Sequence, residues 1–417
     1  MNVLLIIITQ NLPSVLGKLF NSIRSLRGKG GVMNPQSLTE NIDHFSTAET
    51  KKKRALITLA PEAWEQARNQ YPDIKMFNYI GLTYCLVKAL NENGYLVDIV
   101  HYTTEYTPQK PYDLYVGHGS KCRSVIDALP DEVPIYQYIS GVYWRSFNKE
   151  SEERYARFYE GNGGERPKLY LRSMNERIEG EEYLTEKADV LFTINCPRML
   201  ASYGDKADKF YETGLGAYVD DLFYTPLNDK IFQRGRKKFI YVGGTGGNLQ
   251  KGLDLLIEAF AQTPDLDLYI YCKVESDILK HCKRLLNLPN IHYIYHWRYK
   301  PFQYKIKNLL KELNFSVHAP INIGMGTAFM ATMGVGLIPV GYVDMVDAGE
   351  AAVLTDSWEI DALVECITRA SEKSPEWCEQ AAELSKDYYA KHCDPDQVYQ
   401  NFKTMFKRCR KSAEVVL

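Results

Sequence analysis

The sequence lacks three features that define large classes of protein: paired cysteines, long apolar runs and an excess of one charge. Its 9 cysteines include no Cys-x-x-Cys pair, which excludes a zinc or dithiol site of that spacing and a dense disulfide framework. No apolar run approaches the roughly 18 residues that span a bilayer. The near balance of 50 Lys and Arg residues with 52 Asp and Glu residues argues against a dedicated nucleic-acid binder, which needs clustered basic residues. We expect a protein of the reducing cytoplasm, soluble or peripheral to a membrane.

The composition is otherwise that of an ordinary folded protein, apart from its many tyrosines. The 417 residues are 45% hydrophobic and 24% charged, which predicts two or three domains, each with a core of its own. The 30 tyrosines have two interpretations, because tyrosine stacks on sugar rings and also fills strands and half-buried surfaces.

The N-terminal segment combines an apolar helical stripe with positive charge. Apolar residues recur at helical spacing over residues 12–26, and four basic residues precede the first acidic residue, Glu40: Lys18, Arg24, Arg27 and Lys29. This pattern is typical of a helix lying in an anionic membrane surface, and equally of a helix docked on its own domain. The polar stretch 34–53 is predicted to be a linker.

From Arg54 onward, short apolar strands alternate with helical segments in two successive series. The first series has predicted strands at residues 55–60, 96–102, 114–116, 134–140 and 190–195; the second has them at 238–242, 266–272, 291–295, 315–318, 338–343 and 352–354. This alternation is typical of parallel sheets covered by helices on both faces. We therefore predict an α/β protein with two Rossmann-like, doubly wound domains that face a central cleft, followed by C-terminal helices.

The predicted boundaries follow these two series. Residues 1–53 form the N-terminal segment and linker, residues 54–222 and 223–390 form the two domains, and residues 391–417 form a C-terminal helix. The stretch 218–236 has no periodicity and is predicted to connect the domains.

A glycine-rich loop follows the first strand of the second domain. Four glycines lie directly after that strand, and Lys251 opens the next helix; the glycines are Gly243, Gly244, Gly246 and Gly247. Glycines let the backbone approach an anion, and the helix N–H groups with a lysine attract one. The loop matches neither the Walker A pattern nor Gly-x-Gly-x-x-Gly. A diphosphate site and a merely flexible turn are both compatible with it.

A second glycine segment precedes a helix after the 315–318 strand. It comprises Gly324, Met325, Gly326, Thr327 and Ala328. Its backbone is suited to contact a phosphate or a hydroxyl-rich ring, although glycines before a helix are common.

The segments that contain these two loops resemble a known family. Residues 238–261, KFIYVGGTGGNLQKGLDLLIEAFA, resemble the opening of the donor domain of GT-B glycosyltransferases, particularly glycosyltransferase family 4. Residues 315–340, FSVHAPINIGMGTAFMATMGVGLIPV, are similar to that family's Glu-Gly-x-Gly block and the Pro-Val strand after it. The first half resembles the family more loosely, through residues 86–102 and 112–120.

The resemblance implies a glycosyltransferase that moves a sugar from a nucleotide-sugar donor to a hydroxyl acceptor. Transfer would proceed with retention, without a metal ion and without a cofactor other than the donor. The acceptor would be a glycan or a lipid-linked glycan of the cell surface, which suits a cytoplasmic enzyme peripheral to the inner face of a membrane. Domain 54–222 would bind the acceptor and domain 223–390 the donor, held by the two glycine segments and Lys251.

Three positions depart from the family's motif. The family's Glu-x7-Glu pair falls on Ile323 and Ala331, and the basic residue that usually ends the first strand is replaced by Gly244. A second hypothesis is therefore a non-catalytic protein of the same fold that binds a sugar or a partner. A Rossmann dehydrogenase is a third, which the failed dinucleotide pattern disfavours.

The first half contains three candidate residues. His118 follows the 114–116 strand, where related enzymes often place a histidine near the donor sugar, so it is the candidate catalytic residue; a structural histidine is the alternative. Trp144 and Arg145 are candidates for the acceptor side.

Overall fold

The computed structural model describes residues 38–46, 53–70, 79–119, 121–162, 175–193, 196–217, 227–243, 247–294, 308–320, 326–342 and 349–414. They form two sheets, one in each predicted half, and the predicted α/β class is confirmed. The predicted amphipathic helix at 12–26 lies outside these residues. Among the residues described, no helix is long and apolar enough to cross a membrane.

The first sheet has seven strands in the order β1-β3-β2-β4-β5-β6-β7. All neighbours are parallel except β1, which pairs antiparallel with β3 at the edge. The strands are β1 Leu38–Ile42, β2 Lys53–Leu59, β3 Tyr95–His101, β4 Leu114–Gly117, β5 Ile135–Tyr138, β6 Val190–Thr193 and β7 Phe210–Glu212. The helices of this half are α1 Pro61–Gln70, α2 Tyr79–Glu92, α3 Arg123–Ile126, α4 Trp144–Asn162, α5 Asn175–Lys187 and α6 Pro197–Tyr203, with a 3-10 helix at Gly204–Lys209.

The second sheet has six parallel strands in the order β10-β9-β8-β11-β12-β13. The strands are β8 Lys238–Val242, β9 Asp267–Tyr271, β10 Ile291–Tyr293, β11 Phe315–His318, β12 Ile338–Tyr342 and β13 Val353–Thr355. The helices are α7 Phe232–Gly235, α8 Leu253–Ala261, α9 Ser276–His281, α10 Thr327–Gly334, α11 Ile360–Ser371, α12 Pro375–His392 and α13 Pro395–Glu414, with 3-10 helices at Leu227–Asp229, Leu285–Asn287 and Gly349–Ala351. Residues 308–311 are also helical.

The central strands of both sheets are buried on both faces, which explains why they are largely apolar runs. Ala55 and Ile57 pack into one apolar cluster, whereas Leu56 between them packs into another on the opposite face. In the second sheet, Phe239 and Ile240 are divided between two clusters in the same way. Central strands such as β2, β4 and β8 therefore carry apolar side chains toward both faces rather than toward one.

The prediction of a linker over residues 34–53 is wrong at β1, because Leu38–Ile42 is an edge strand. Its sequence is polar because an edge strand with one covered face does not need a long apolar run. Long-range polar contacts stabilise it: the fully buried Asp98 carboxylate accepts hydrogen bonds from the Asn41 backbone N–H and from the Arg54 guanidinium. Sequence reasoning also missed β7 and α1.

Two helices join the halves of the chain. The last helix, α13, packs its apolar face on the first sheet: Val398, Tyr399, Phe402, Met405 and Phe406 share a cluster with the strands β2 to β6. In the other direction, α4 leaves the first half and places Phe158 and Tyr159 in the main core of the second. The boundaries at residues 222 and 390 stay predictions.

Candidate functional site

Each sheet reverses its strand order beside its first parallel strand. In the second sheet the chain proceeds from β8 to β9 and β10 on one side, and later to β11, β12 and β13 on the other. Ligands of doubly wound sheets bind in the crevice outside the carboxyl ends of the two strands at such a switch point. The carboxyl end of β8 continues into the predicted glycine loop, and β11 ends at His318. The sheet order therefore predicts a ligand site at the carboxyl ends of β8 and β11.

The described part of the glycine loop is folded tightly, and its glycines are required by packing. A Cβ atom on Gly243 would lie 2.8 Å from Asn248 Oδ1 and 2.9 Å from Cys272 Cβ. At the other end of the loop, Gly252 has a φ of 71°, and a Cβ there would overlap the carbonyl oxygen of Ala319, just beyond β11. Close packing thus fixes both described ends of the loop. At Gly252, the backbone of the loop lies against the residue that follows β11. Gly244 and Gly246 lie outside the described residues.

A carboxylate from the next strand connection binds the loop's backbone. Glu275 accepts a hydrogen bond from the Gly247 N–H at 2.6 Å and another from the Leu249 N–H at 3.2 Å. Asn248, between them, is fully buried and donates its side-chain amide to the Lys273 carbonyl at 2.7 Å. The loop after β8 is therefore anchored to the connection that follows β9.

Lys251 ends this loop and is half-buried. Its backbone N–H donates to the Gly247 carbonyl at 3.0 Å, and α8 begins two residues further on, at Leu253, rather than at Lys251 as the sequence predicted. Burial lowers the pKa of the Lys251 ammonium, while the neighbouring Cys272 and Glu275 act in the opposite direction. A cation that has lost part of its hydration is suited to bind a multiply charged anion.

His318 is the functional candidate that sequence reasoning missed. Its ring is 4% exposed and lies against two aromatic rings, with centroids 4.8 Å from Tyr241 and 4.4 Å from Phe329. Burial, with the Lys251 charge as a lesser cause, lowers the pKa of His318 to about 3, so the ring is neutral at physiological pH. Its Nε2 atom is buried without a hydrogen-bond partner in the described part of the chain. The only sequence signal was its place at the end of an apolar strand.

The second glycine segment leads into α10 beside His318. Gly326 is the N-cap of α10, and no side chain among the described residues caps the helix; Thr327 is exposed and Ala328 is half-buried. Phe329, one residue further on, is the ring that contacts His318. The uncapped start of α10 is thus placed next to the Lys251 and His318 site. Gly324, Met325 and Ile323 lie outside the described residues.

Ala331, where the resemblance predicts a carboxylate, lies in an apolar environment. It is half-buried against a cluster that contains Phe329 and Met330 of α10 with Val142 and Phe147 of the first half. This cluster brings the start of α4 to α10, and so brings the predicted acceptor side to the predicted donor side.

His118 lies at the switch point of the first sheet, between β2 and β4. Its N–H donates to Thr58 Oγ1 at 2.9 Å, and its Nδ1 is 3.3 Å from the Tyr138 carbonyl oxygen. Its ring is half-buried, with centroids 6.3 Å from Tyr102 and 5.6 Å from Tyr138. These partners all belong to the first half, and they fix the ring at the edge of that sheet's crevice.

Trp144 and Arg145 begin α4, next to Tyr143, which packs against the cluster shared with α10. The Trp144 indole N–H is buried and has no partner among the described groups. The exposed Arg145 donates to Glu182 Oε1 at 2.6 Å and lies over the Trp144 ring at 5.1 Å from its centroid. Trp144 is thus a fixed aromatic surface beside the interface of the two halves.

Comparison with known proteins shows the fold. No family model and no curated protein matches the sequence. Among solved structures, the chain is similar to sucrose-phosphate synthase from Thermosynechococcus elongatus, with a TM-score of 0.58 and 13% identity over 87% of this chain and 100% of that one. It is also similar to HepE of Anabaena, solved in complex with UDP, with a TM-score of 0.54 and 13% identity over 85% of this chain and 100% of that one.

HepE solved with UDP-glucose matches similarly, with a TM-score of 0.53, 13% identity and coverage of 86% of this chain and 100% of that one. At this level of identity the similarity establishes architecture alone. The chain has the GT-B fold, with two Rossmann-like domains.

Proposed function

We propose that this chain is a glycosyltransferase that moves a sugar from a nucleotide-sugar donor to a hydroxyl acceptor. The observation that carries the proposal is the group of residues at the switch point of the second sheet. There a half-buried Lys251, a buried His318 whose Nε2 has no partner in the described part of the chain, and the start of α10, which no described side chain caps, meet in a GT-B fold. Positive charge, a neutral hydrogen-bonding ring and helix N–H groups suit the diphosphate and sugar of such a donor.

Lys251 and the start of α10 would bind the diphosphate and stabilise the charge that develops on it as the sugar leaves. Such stabilisation accelerates transfer because the positive groups are in place before the charge appears. The His318 ring, neutral at physiological pH, would hydrogen-bond the donor without opposing the charge of Lys251. HepE is solved with UDP and UDP-glucose, so uridine nucleotides are the first donors to test.

We propose, from the family resemblance, that transfer retains the anomeric configuration and needs no metal ion. No protein nucleophile is assigned; the departing phosphate oxygen would accept the proton of the incoming hydroxyl. His118 would lie near the donor sugar from the first half, and Trp144 would support the acceptor, a glycan or lipid-linked glycan at the cytoplasmic face of a membrane. Stacking on a sugar ring suits the fixed Trp144 indole.

A specific observation favours a second candidate, a binding protein without catalysis. The position of the family's second carboxylate is Ala331, which packs into an apolar cluster rather than facing a polar site. If that carboxylate is needed for turnover, the same site binds a nucleotide sugar and does not cleave it.

The test is a thermal-shift screen of nucleoside diphosphates and their sugars, followed by an assay for release of the nucleoside diphosphate with and without acceptor. A ligand that binds only the folded state raises the melting temperature, by an amount that grows with its concentration. Binding with release supports the glycosyltransferase, binding without release on any acceptor supports the second candidate, and no shift with any nucleotide contradicts both.

A further inference from the structure

Glu275 binds two backbone N–H groups of the glycine loop with its own carboxylate. Its Oε1 accepts the Gly247 N–H and its Oε2 accepts the Leu249 N–H, so both oxygens are used as a phosphate would use two of its oxygens. We infer that Glu275 is an internal anion that competes with the nucleoside diphosphate for this loop and promotes release of that product. The inference rests on the proposed function, because it concerns the same diphosphate site.

The charge balance of the site supports competition. Glu275 is close enough to Lys251 to act on its charge, so the negative carboxylate offsets the positive group proposed to hold the diphosphate. A diphosphate that arrives at Lys251 meets the like charge of Glu275, and repulsion falls when the carboxylate moves away or is neutralised. When the product leaves, the carboxylate can return to the two N–H groups.

The loop does not depend on Glu275 for its shape. Asn248 anchors it to the Lys273 carbonyl, Lys251 bonds back to Gly247, and the Leu253 N–H donates to the Asn248 carbonyl at 3.0 Å. Close packing at Gly243 and Gly252 fixes both ends. Because these contacts remain without the carboxylate, its removal changes mainly the charge of the site and the access to two N–H groups.

The experiment compares the parent with Glu275→Gln and Glu275→Ala, using UDP and inorganic pyrophosphate as probes in calorimetric titrations at low salt. Gln keeps an oxygen acceptor for Gly247 and loses the charge, whereas Ala frees both N–H groups. The matched control is Asp277→Asn, which removes a negative charge two residues away in α9, where Asp277 accepts a hydrogen bond from the Tyr159 hydroxyl instead of binding the loop.

We expect both Glu275 variants to bind the probes about five- to tenfold tighter, with slower dissociation of UDP, as the loss of one like charge a few ångströms away predicts. The control should change affinity less than twofold. In the parent, UDP should alter amide exchange in the peptide that contains residues 247–249.

Three results would overturn the inference. Equal or weaker binding by both Glu275 variants, in a parent that binds UDP, would show that the carboxylate only braces the loop, and the proposed function would stand. If Asp277→Asn bound the probes as tightly as the Glu275 variants do, the gain would come from the net charge of this region and not from the contact of Glu275 with the loop. If neither the parent nor the variants bind UDP or pyrophosphate, the inference fails together with the proposed function.

Discussion

A buried ion pair joins the two halves of the chain, and its removal tests how they pack together. Arg154 of α4 donates from its Nη2 to Asp254 Oδ2 of α8, and the two side chains are 1% and 2% exposed. Asp254 lies three residues beyond Lys251, so the pair connects the helix that follows the glycine loop to the helix that begins at Trp144. Only one bond is made: Arg154 Nε and Asp254 Oδ1 are buried without partners in the described structure.

The expected magnitude follows from desolvation. Removing one member of a buried pair leaves the other charge without compensation, which costs about 3–5 kcal/mol of unfolding free energy. We therefore expect Asp254→Ala and Arg154→Met each to lose about that much. The double variant Arg154→Met with Asp254→Leu leaves no uncompensated charge, and it should lie within about 1 kcal/mol of the parent or be more stable.

The assay is urea unfolding followed by both tryptophan fluorescence and circular dichroism, so that a separate transition of either half is seen. The control is Arg157→Met, which breaks the exposed ion pair between Arg157 and Glu359, a pair worth at most about 1 kcal/mol. The reasoning is refuted if the single variants lose less than the control, or if the double variant is as unstable as the sum of the singles.

The remaining predictions concern the site and the N-terminal segment. Ala331→Glu should destabilise the second half by several kcal/mol, because an unpaired carboxylate enters an apolar cluster; a stable variant that binds donor tenfold tighter would contradict this. Because the pKa of His318 is about 3 when folded and near 6.5 when unfolded, the unfolded chain binds more protons between these values, and stability should fall as pH drops below about 6.5. Below pH 6.5, the urea midpoint should change less steeply with pH in His318→Phe than in the parent. An unchanged slope would show that the pKa of His318 is not lowered by folding. Removal of residues 1–31 should abolish salt-sensitive binding to anionic vesicles and spare donor binding; unfolding of the truncated chain would instead indicate a structural helix.

The sequence predicted the strands that carry the site because they are buried on both faces. Lys238–Val242 and Phe315–His318 have the bounds expected from their apolar runs. The turn after β8 was predicted from its glycines as well, and Gly243 and Gly252 are needed there because a Cβ atom at either would overlap neighbouring atoms.

The contacts that organise the site were not predictable, because they join distant parts of the chain. Glu275 lies 26 residues from Leu249, and Arg154 lies 100 residues from Asp254. No pattern within a short stretch of sequence identifies partners that are so far apart in the chain. The edge strand β1 was missed for the same reason: Asn41 and Asp98 stabilise it across 57 residues, whereas its own sequence resembles a linker.

In the proposed function, Lys251 holds the diphosphate of a nucleotide sugar. The most direct test of this role is the dissociation constant of the nucleoside diphosphate found in the screen, measured for the parent, Lys251→Ala and Lys251→Arg. A matched control is Lys280→Ala, which removes an exposed charge from α9.

We expect Lys251→Ala to weaken binding by about 1.5–3 kcal/mol, roughly 10- to 150-fold, as the loss of a charged hydrogen bond predicts. Lys251→Arg should recover part of this, because a planar guanidinium fits a point-charge site poorly. The Lys280 control should bind as the parent does. If folded Lys251→Ala bound the nucleoside diphosphate with the same affinity as the parent, Lys251 would not be the group that holds the diphosphate.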